Sequence, residues 1–274
     1  MMKLYPITGG IKCFTDVNCL ASLVSEFEPI SLSEIQDAAL LNRVDTKYII
    51  GMDQLCAILP ELVGNYRALN INNTYLHNYR TLYFDTSAFT FYTQHHNRLG
   101  SRYKVRVRKY IDTDTAFFEI KHRTNQSRTI KSRMPIPDLV TQLGDPLIAF
   151  AHEHAACDAD RLEPKLWNEY VRMTLVSKNR PERVTLDMNL RYYWKTDLAA
   201  LSGIVIIEVK QQQHTQSAEI IQQMRRLSAR PQSYSKYAAG VYSLYDGVKV
   251  NNFKPQIRIV NKIMQGVFQN EFAH

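Results

Sequence analysis

Charged residues occupy every second position in five separate stretches of this chain: Arg43/Asp45/Lys47, Lys104/Arg106/Arg108, Glu119/Lys121/Arg123, Lys131/Arg133 and Glu208/Lys210, with Asp187 and Arg191 in the same phase. Val44, Val105, Val107, Phe118, Ile120, Ile130, Ile207 and Val209 stand between them. Successive side chains of an extended chain point to opposite faces, so this pattern calls for strands that are charged on one side and apolar on the other. One such strand suits an ordinary half-buried antiparallel sheet with its charged face in water. Repetition changes the argument, because it gathers charge onto one surface.

With Arg172 from a further strand, these faces carry twelve Lys/Arg and four Asp/Glu. The whole chain has 34 Lys/Arg and 26 Asp/Glu, net +8, so everything outside the faces balances at 22 of each. Like charges crowded onto one surface repel, and a polyanion is the partner that relieves them. An open sheet would offer a flat basic patch to nucleic acid. A barrel with the charges inside would offer a phosphate-binding tunnel, and its apolar outside would need a cover of helices.

Composition narrows the chemistry. Over 274 residues, 45% hydrophobic and 22% charged content fits one large domain with appendages. No apolar run approaches the roughly 18 to 20 residues of a membrane span, and the opening MMKLYPITGGIKCF lacks the apolar core of a secretory signal. A soluble, cytoplasmic protein is expected. Cys13, Cys19, Cys56 and Cys157 form no Cys-x-x-Cys pair, and His95-His96 and His152-x-His154 lack a carboxylate at metal-site spacing. No nucleophile elbow, Walker A loop or dinucleotide fingerprint occurs, so phosphates would be held by side chains rather than by a glycine-rich backbone.

The periodicity predicts strands over 43–50, 66–76, 79–85, 102–111, 115–123, 127–135, 168–178, 182–193 and 203–211, with 66–76 and 79–85 paired to each other. It predicts helices over 31–41, 53–62, 87–97, 136–159, 215–229 and 234–245. The expected fold class is α+β: a closed antiparallel barrel of about eight strands with helices packed outside. A barrel of about eight strands holds side chains and one slender ligand. The expected organisation is a lead-in over 1–30, the barrel domain over 31–250 and a tail over 251–274.

Nine ordered blocks then give the chain a likeness. They are RVDTKY at 43–48, YRTLYFD at 79–85, KVRVRKY at 104–110, FEIK at 118–121, IKSR at 130–133, YVR at 170–172, RVTLD at 183–187, IEVK at 207–210 and YSKY at 234–237. Together they resemble the vacuolar transporter chaperone (VTC) domain, the polyphosphate polymerase member of the triphosphate tunnel superfamily, from about residue 40 to 243. The resemblance implies a tunnel in which the terminal phosphate of ATP is added to a growing polyphosphate chain, with a divalent metal, manganese or magnesium. It implies that Lys47, Arg106, Arg108, Lys121, Lys131, Arg172 and Lys236 contact phosphates, with Ser235 beside them, and that Glu208 is the metal-binding carboxylate. Arg133, Arg123, Arg191 and Lys210 share the faces as further phosphate-binding candidates.

The implied partners are ATP and inorganic polyphosphate or triphosphate. Nucleic acid is not expected, because Val and Ile rather than stacking aromatics separate the basic positions. Two departures from the family pattern matter. Hydrolytic tunnel enzymes open with Glu-x-Glu-x-Lys, whereas this chain has Arg43-x-Asp45-x-Lys47, which favours phosphate binding of the polymerase kind. Ser233 stands where such polymerases often carry Lys. A tunnel triphosphatase and a non-catalytic polyanion-binding module remain as alternatives. Glu119 reads as an ion-pair partner for Lys121 or a neighbouring Arg, and Asp187 reads either as that or as a second functional carboxylate.

Overall fold

The computed structural model describes residues 20, 22–37, 43–126, 128–213 and 215–271. Its spine is a sheet whose main path runs β2 (Val44–Gly51), β11 (Ile204–Gln211), β9 (Glu182–Trp194), β8 (Glu163–Ser177), β4 (His77–Asp85), β5 (Arg102–Tyr110), β6 (Thr115–Arg123), β7 (Thr129–Ile136). Every neighbouring pair on this path is antiparallel. β10 (Asp197–Leu201) pairs with β9, and β3 (Tyr66–Leu69) joins β8 to the short parallel β1 (Glu28–Ile30).

Two strand expectations are corrected. The stretch 66–76 does not pair with 79–85; β3 ends at Leu69 and lies against β8 and β1. The second correction concerns closure. Among the described residues no ladder joins β2 to β7, so the expected closed barrel is a curled eight-strand path with two ends. At β2 the free edge is already engaged: the Gln232 amide donates to the Lys47 carbonyl at 2.8 Å, and Lys47 Nζ donates to the Tyr234 carbonyl at 3.0 Å. At β7, Pro135 removes a ladder donor, which suits a strand left at an edge.

The outer, apolar faces are covered as their patterning requires. The helices Met52–Ile58 and Glu219–Arg226, with Leu20, Val24 and Phe27, bury Tyr48, Ile50, Met173, Val184, Leu186, Val205, Ile207 and Val209. Leu147 and Ala151 of the helix Asp145–His154 pack with Phe118 and Ile120. Each such fully buried aliphatic or aromatic side chain contributes about 1.5–3 kcal/mol. The predicted helix over 136–159 is thus realised only in part. The stretch 251–274, expected as a tail, holds the helix Lys254–Glu271, and Phe253, Ile257, Val260 and Met264 are buried in the core.

One helix decides the interior. Lys236–Leu244 packs against β8, β9 and β10 on the concave side of the sheet, among Tyr83, Leu166, Leu190, Tyr192, Ile204 and Ile206. The approach is close enough that a Cβ on Gly240 would meet Leu166 and Tyr192 carbon atoms at 2.8 Å. The fully buried Asp85 anchors it, accepting from the Tyr237 hydroxyl at 2.5 Å and from the Phe91 and Tyr92 amides at 2.9 and 3.0 Å. The concave face is therefore divided: an apolar half filled by this helix, and a charged half beside the helix N-terminus.

Candidate functional site

Strand parity and register place the charged residues of different blocks side by side. Lys47 on β2 stands opposite Glu208 on β11, and Asp45 opposite Lys210. Lys210 in turn faces Arg183 on β9, and Asp187 faces Arg172 on β8. On the other half, Arg106 on β5 stands opposite Glu119 on β6, which stands opposite Arg133 on β7, while Lys104, Lys121 and Lys131 form a second row.

Three buried or half-buried carboxylates of this charged half each organise cations. Asp187 accepts Arg172 Nε at 2.5 Å and Nη2 at 2.8 Å, and it also pairs with Lys236 Nζ. Burial alone would raise its pKa; Arg172 and Lys236 outweigh burial and hold it well below the usual carboxylate range. Glu119 accepts Arg106 Nε at 2.7 Å and Nη2 at 2.5 Å and pairs with Lys131, which keeps it ionised against the same burial. Glu208 lies 3.4 Å from Lys47 Nζ and 3.2 Å from Lys210 Nζ. Against burial, Lys47, Lys210, Lys121 and Arg172 lower its pKa well below normal.

The cations that act on Glu208 come from strands far apart along the sheet. Lys121 lies on β6, five ladder steps from β11, a separation of about 24 Å on a flat sheet at 4.8 Å per strand. Charges that far apart in solution are screened beyond a Debye length of about 8–10 Å. Yet Lys121 and Glu208 shift each other, and Lys104 on β5 is coupled to Lys47 on β2. The charged faces turn toward one another across an interior.

Aromatic rings line part of this interior. Tyr79 and Tyr170 stack with centroids 5.0 Å apart, and Arg172 lies 5.1 and 5.4 Å from their centroids, Arg108 5.7 and 5.8 Å, in cation–π contact. Lys236 Nζ is 4.5 Å from the Tyr170 ring. Arg108 Nε also donates to Thr81 at 3.1 Å. The Tyr170 hydroxyl and the Thr185 hydroxyl, both buried here, have no hydrogen-bond partner among the described residues, an arrangement a native fold keeps where a ligand or water completes it.

Lysine proton affinity reports the excess of positive charge. Lys104 is brought down to about 7 by burial and then by Lys47, Arg102 and Arg106. Lys121 falls well below its ordinary value, first because of Arg106 and then because of burial. Burial lowers Lys210 and brings Lys236 down to about 8, with Arg172 adding to both.

The sequence candidates are not all brought together. Lys47, Arg106, Arg108, Lys121, Arg172, Lys210, Lys236 and Glu208 share the interior. Lys131 and Arg133 sit at its exposed margin on β7, with Arg133 4.7 Å from the Phe117 ring centroid. The Ser235 hydroxyl caps its helix, accepting from the Ala238 amide at 3.3 Å. Arg191 is a correction: it is exposed on the opposite face, paired in register with Glu169. The cause is a bulge, with Asn189 at φ 53 and the pairing shifted between Glu169 and Val171, which resets the alternation after Asp187. Arg183, half-buried in the phase of Thr185 and Asp187, and Arg102, in the phase of Lys104, are further interior candidates; parity alone could have found both. Tyr79 and Tyr170 carried no such signal, since an aromatic residue in phase with charges reads equally as core.

Among the described residues no three His, Cys, Asp or Glu side chains gather as a metal cage. With Asp187 and Glu119 committed to guanidinium groups, Glu208 is, among the described residues, the interior carboxylate whose salt bridges are with flexible ammonium groups. Its donor set fits a divalent ion whose other ligands are phosphate oxygens and water.

The family model described as the VTC domain matches residues 42–245. No curated protein matches the chain. Among solved structures, a protein from Bacillus halodurans described as a candidate adenylate cyclase is similar at 12% identity, covering 71% of this chain and 94% of that one, with a TM-score of 0.45. A Hippeastrum protein described as a candidate adenylyl cyclase with a dominant triphosphatase activity is similar at 12% identity, covering 75% and 97%, with a TM-score of 0.43. A third, from Vibrio parahaemolyticus, described as a candidate adenylate cyclase, gives 12% identity, 72% and 97% coverage and a TM-score of 0.42.

Proposed function

This chain belongs to the VTC domain family, and on that premise we propose that it is a phosphotransferase that moves the γ-phosphate of ATP onto the end of an inorganic polyphosphate chain inside its cationic interior. The observation that carries the reading is the convergence of Lys47, Arg106, Arg108, Lys121, Arg172, Lys210 and Lys236, drawn from separate blocks of sequence, around Glu208 and two buried hydroxyls that have no hydrogen-bond partner among the described residues.

In the proposed transfer, a terminal oxygen of the acceptor chain forms the new bond to the γ-phosphorus, the bond from that phosphorus to the β-bridging oxygen breaks, and ADP leaves. Such a transfer asks a protein for alignment and for neutralisation of charge on the transferring group. Arg106 and Arg172 are pre-oriented for this by bidentate or forked contact with Glu119 and Asp187, and their planar forks suit phosphate oxygens. Arg108 presents its guanidinium between Thr81 and the tyrosine pair. Lys121, Lys210 and Lys236 supply mobile point charges whose full protonation an anion restores. A divalent ion bound through Glu208 would neutralise phosphate charge and orient the oxygens. Asp45, at the position where hydrolytic relatives carry a metal-side carboxylate, is exposed and paired with Arg43 Nε at 2.9 Å, which supports transfer over hydrolysis.

Incubation with ATP and manganese, followed by sizing of the product, tests the reading. Polymer is the expected result. Free phosphate alone identifies a triphosphatase, and binding without product identifies a polyanion-binding module.

A further inference from the structure

At one end of the β5–β6 ladder, two successive cross-strand pairs set cation against cation. Arg102 stands opposite Arg123, and Lys104 opposite Lys121. Like charges directly opposite on neighbouring strands are destabilising. At other points of the charged surface salt bridges offset the cost: Arg106 and Lys131 have Glu119, Arg172 and Lys236 have Asp187, and Lys47 and Lys210 have Glu208. Among the described residues, Arg102, Lys104, Lys121 and Arg123 have no salt bridge; Arg108 and Arg183 have none either, but Arg108 stands opposite Phe117, and Arg183 opposite Lys210, which Glu208 holds.

His95 comes from the helix Thr90–His96, which packs on β5, and feels the charge of the same cations. Its ring stacks on Phe253 with centroids 5.7 Å apart, and its buried Nδ1 has no hydrogen-bond partner among the described residues. Burial, reinforced by Lys104, Arg102, Lys47 and Arg123, holds the ring neutral, with a pKa lowered to about 2. Cations of β5 and β6, with Lys47 of β2 adding to them, therefore set up one field of excess positive charge around this helix, beside the edge of β2 where the ladder is open. Arg102 lies four residues along β5 from Arg106, about 14 Å at 3.4 Å per residue. A triphosphate seated at Arg106 and Arg108 leaves that end uncovered; a longer chain does not.

We propose that Arg102, Lys104 and Arg123, walled by His95, form a second phosphate subsite that holds the units of a polyphosphate chain lying beyond those in the central group. It rests on the polyphosphate reading above and adds a specificity to it: preference for long chains over triphosphate. The cross-strand cation pairs are the reason, since each additional phosphate unit placed there relieves a repulsion that no salt bridge among the described residues offsets.

The test is calorimetric titration of the full chain with triphosphate and with polyphosphate of about fifteen units, for the parent protein and for Arg102→Gln/Arg123→Gln. The parent is expected to favour the long chain by about tenfold or more, and the double variant to lose that preference, with triphosphate affinity within about twofold and a salt slope for the long chain shallower by about two. Arg102→Lys/Arg123→Lys, which keeps both charges, is expected to retain the preference, and coincident melting curves of the variants exclude a folding defect. A double Gln variant that keeps the long-chain preference, or that loses both ligands equally while folded, overturns the subsite. A parent that binds both ligands with equal affinity overturns it too, while leaving the polyphosphate reading intact; a parent that binds neither overturns both.

Discussion

Lys236, the first residue of the helix that fills the apolar half of the interior, is ion-paired with Asp187, 49 positions earlier on β9. The same carboxylate holds Arg172 in a two-contact fork. A single buried acid thereby fixes the helix that plugs the interior and one of the arginines that face into it.

Asp187→Asn leaves two cations with a neutral amide in place of their shared counter-charge. Removing one partner of a buried ion pair costs about 3–5 kcal/mol, so urea denaturation is expected to show a loss of that order. Triphosphate is expected to restore part of it by binding the native state. A variant as stable as the parent without ligand would show that the pair does not hold the helix.

Glu208→Gln is expected to remove metal-dependent turnover by about a hundredfold or more while leaving triphosphate affinity unchanged or tighter. The second half follows from the ion pairs: Lys47 and Lys210 lose their internal counter-charge and become available to phosphate. Parallel loss of turnover and affinity would assign Glu208 to substrate contact instead.

The lysines set a pH dependence of unusual sign. Lys104 and Lys236 are lowered to about 7 and about 8 in the folded state, below the ordinary lysine value of 10.5. Between those values and about pH 10 the unfolded chain binds more protons than the folded one, so their contribution to unliganded stability rises with pH across that window. A phosphate ligand raises their proton affinity, so triphosphate binding at pH 8 is expected to take up about one proton or more, read from titrations in buffers of different ionisation heat. Proton release on binding would contradict the assignment.

Gly240→Ala probes the plug by sterics alone. Its methyl group would lie 2.8 Å from carbon atoms of Leu166 and Tyr192, and overpacking of this kind costs about 1–3 kcal/mol. The helix start bearing Ser235 and Lys236 is expected to shift, giving a lower melting temperature together with weaker phosphate binding. Unchanged values for both would mean that the helix adjusts without moving its N-terminus.

Arg106→Ala together with Arg108→Ala is expected to weaken polyphosphate binding in a salt-dependent manner, with the slope of log affinity against log salt reduced by about two. Lys131 remains as a partner for Glu119 in this variant. Equal affinity before and after would place the two arginines outside the phosphate path.

Alternation in the sequence was enough to identify the strands of the charged meander and which side of each carries charge, because the period of two is a property of the extended backbone itself. Arg106, Arg108, Lys121, Lys47 and Glu208 were therefore legible as one class of surface. The ends of the helices were less legible: 136–159 reads as continuous in pattern, whereas the helix is Asp145–His154. At Arg191 the same rule misled, since a bulge adds a residue without any change in residue type, and the local phase reverses where Asn189 adopts a positive φ.

What the chain determined by itself is thus the excess of cations, their restriction to one face of each strand and the carboxylates set among them. Only the tertiary structure decided which cation meets which carboxylate, that Asp187 and Glu119 are taken by arginines while Glu208 is held by lysines, and that the Arg102–Arg123 and Lys104–Lys121 pairs have no salt bridge among the described residues. The physical reason is register and curl. Parity is local to a strand, but the partner across a ladder depends on where each strand stops, and the partner across the interior depends on how far the sheet bends before a helix fills the rest.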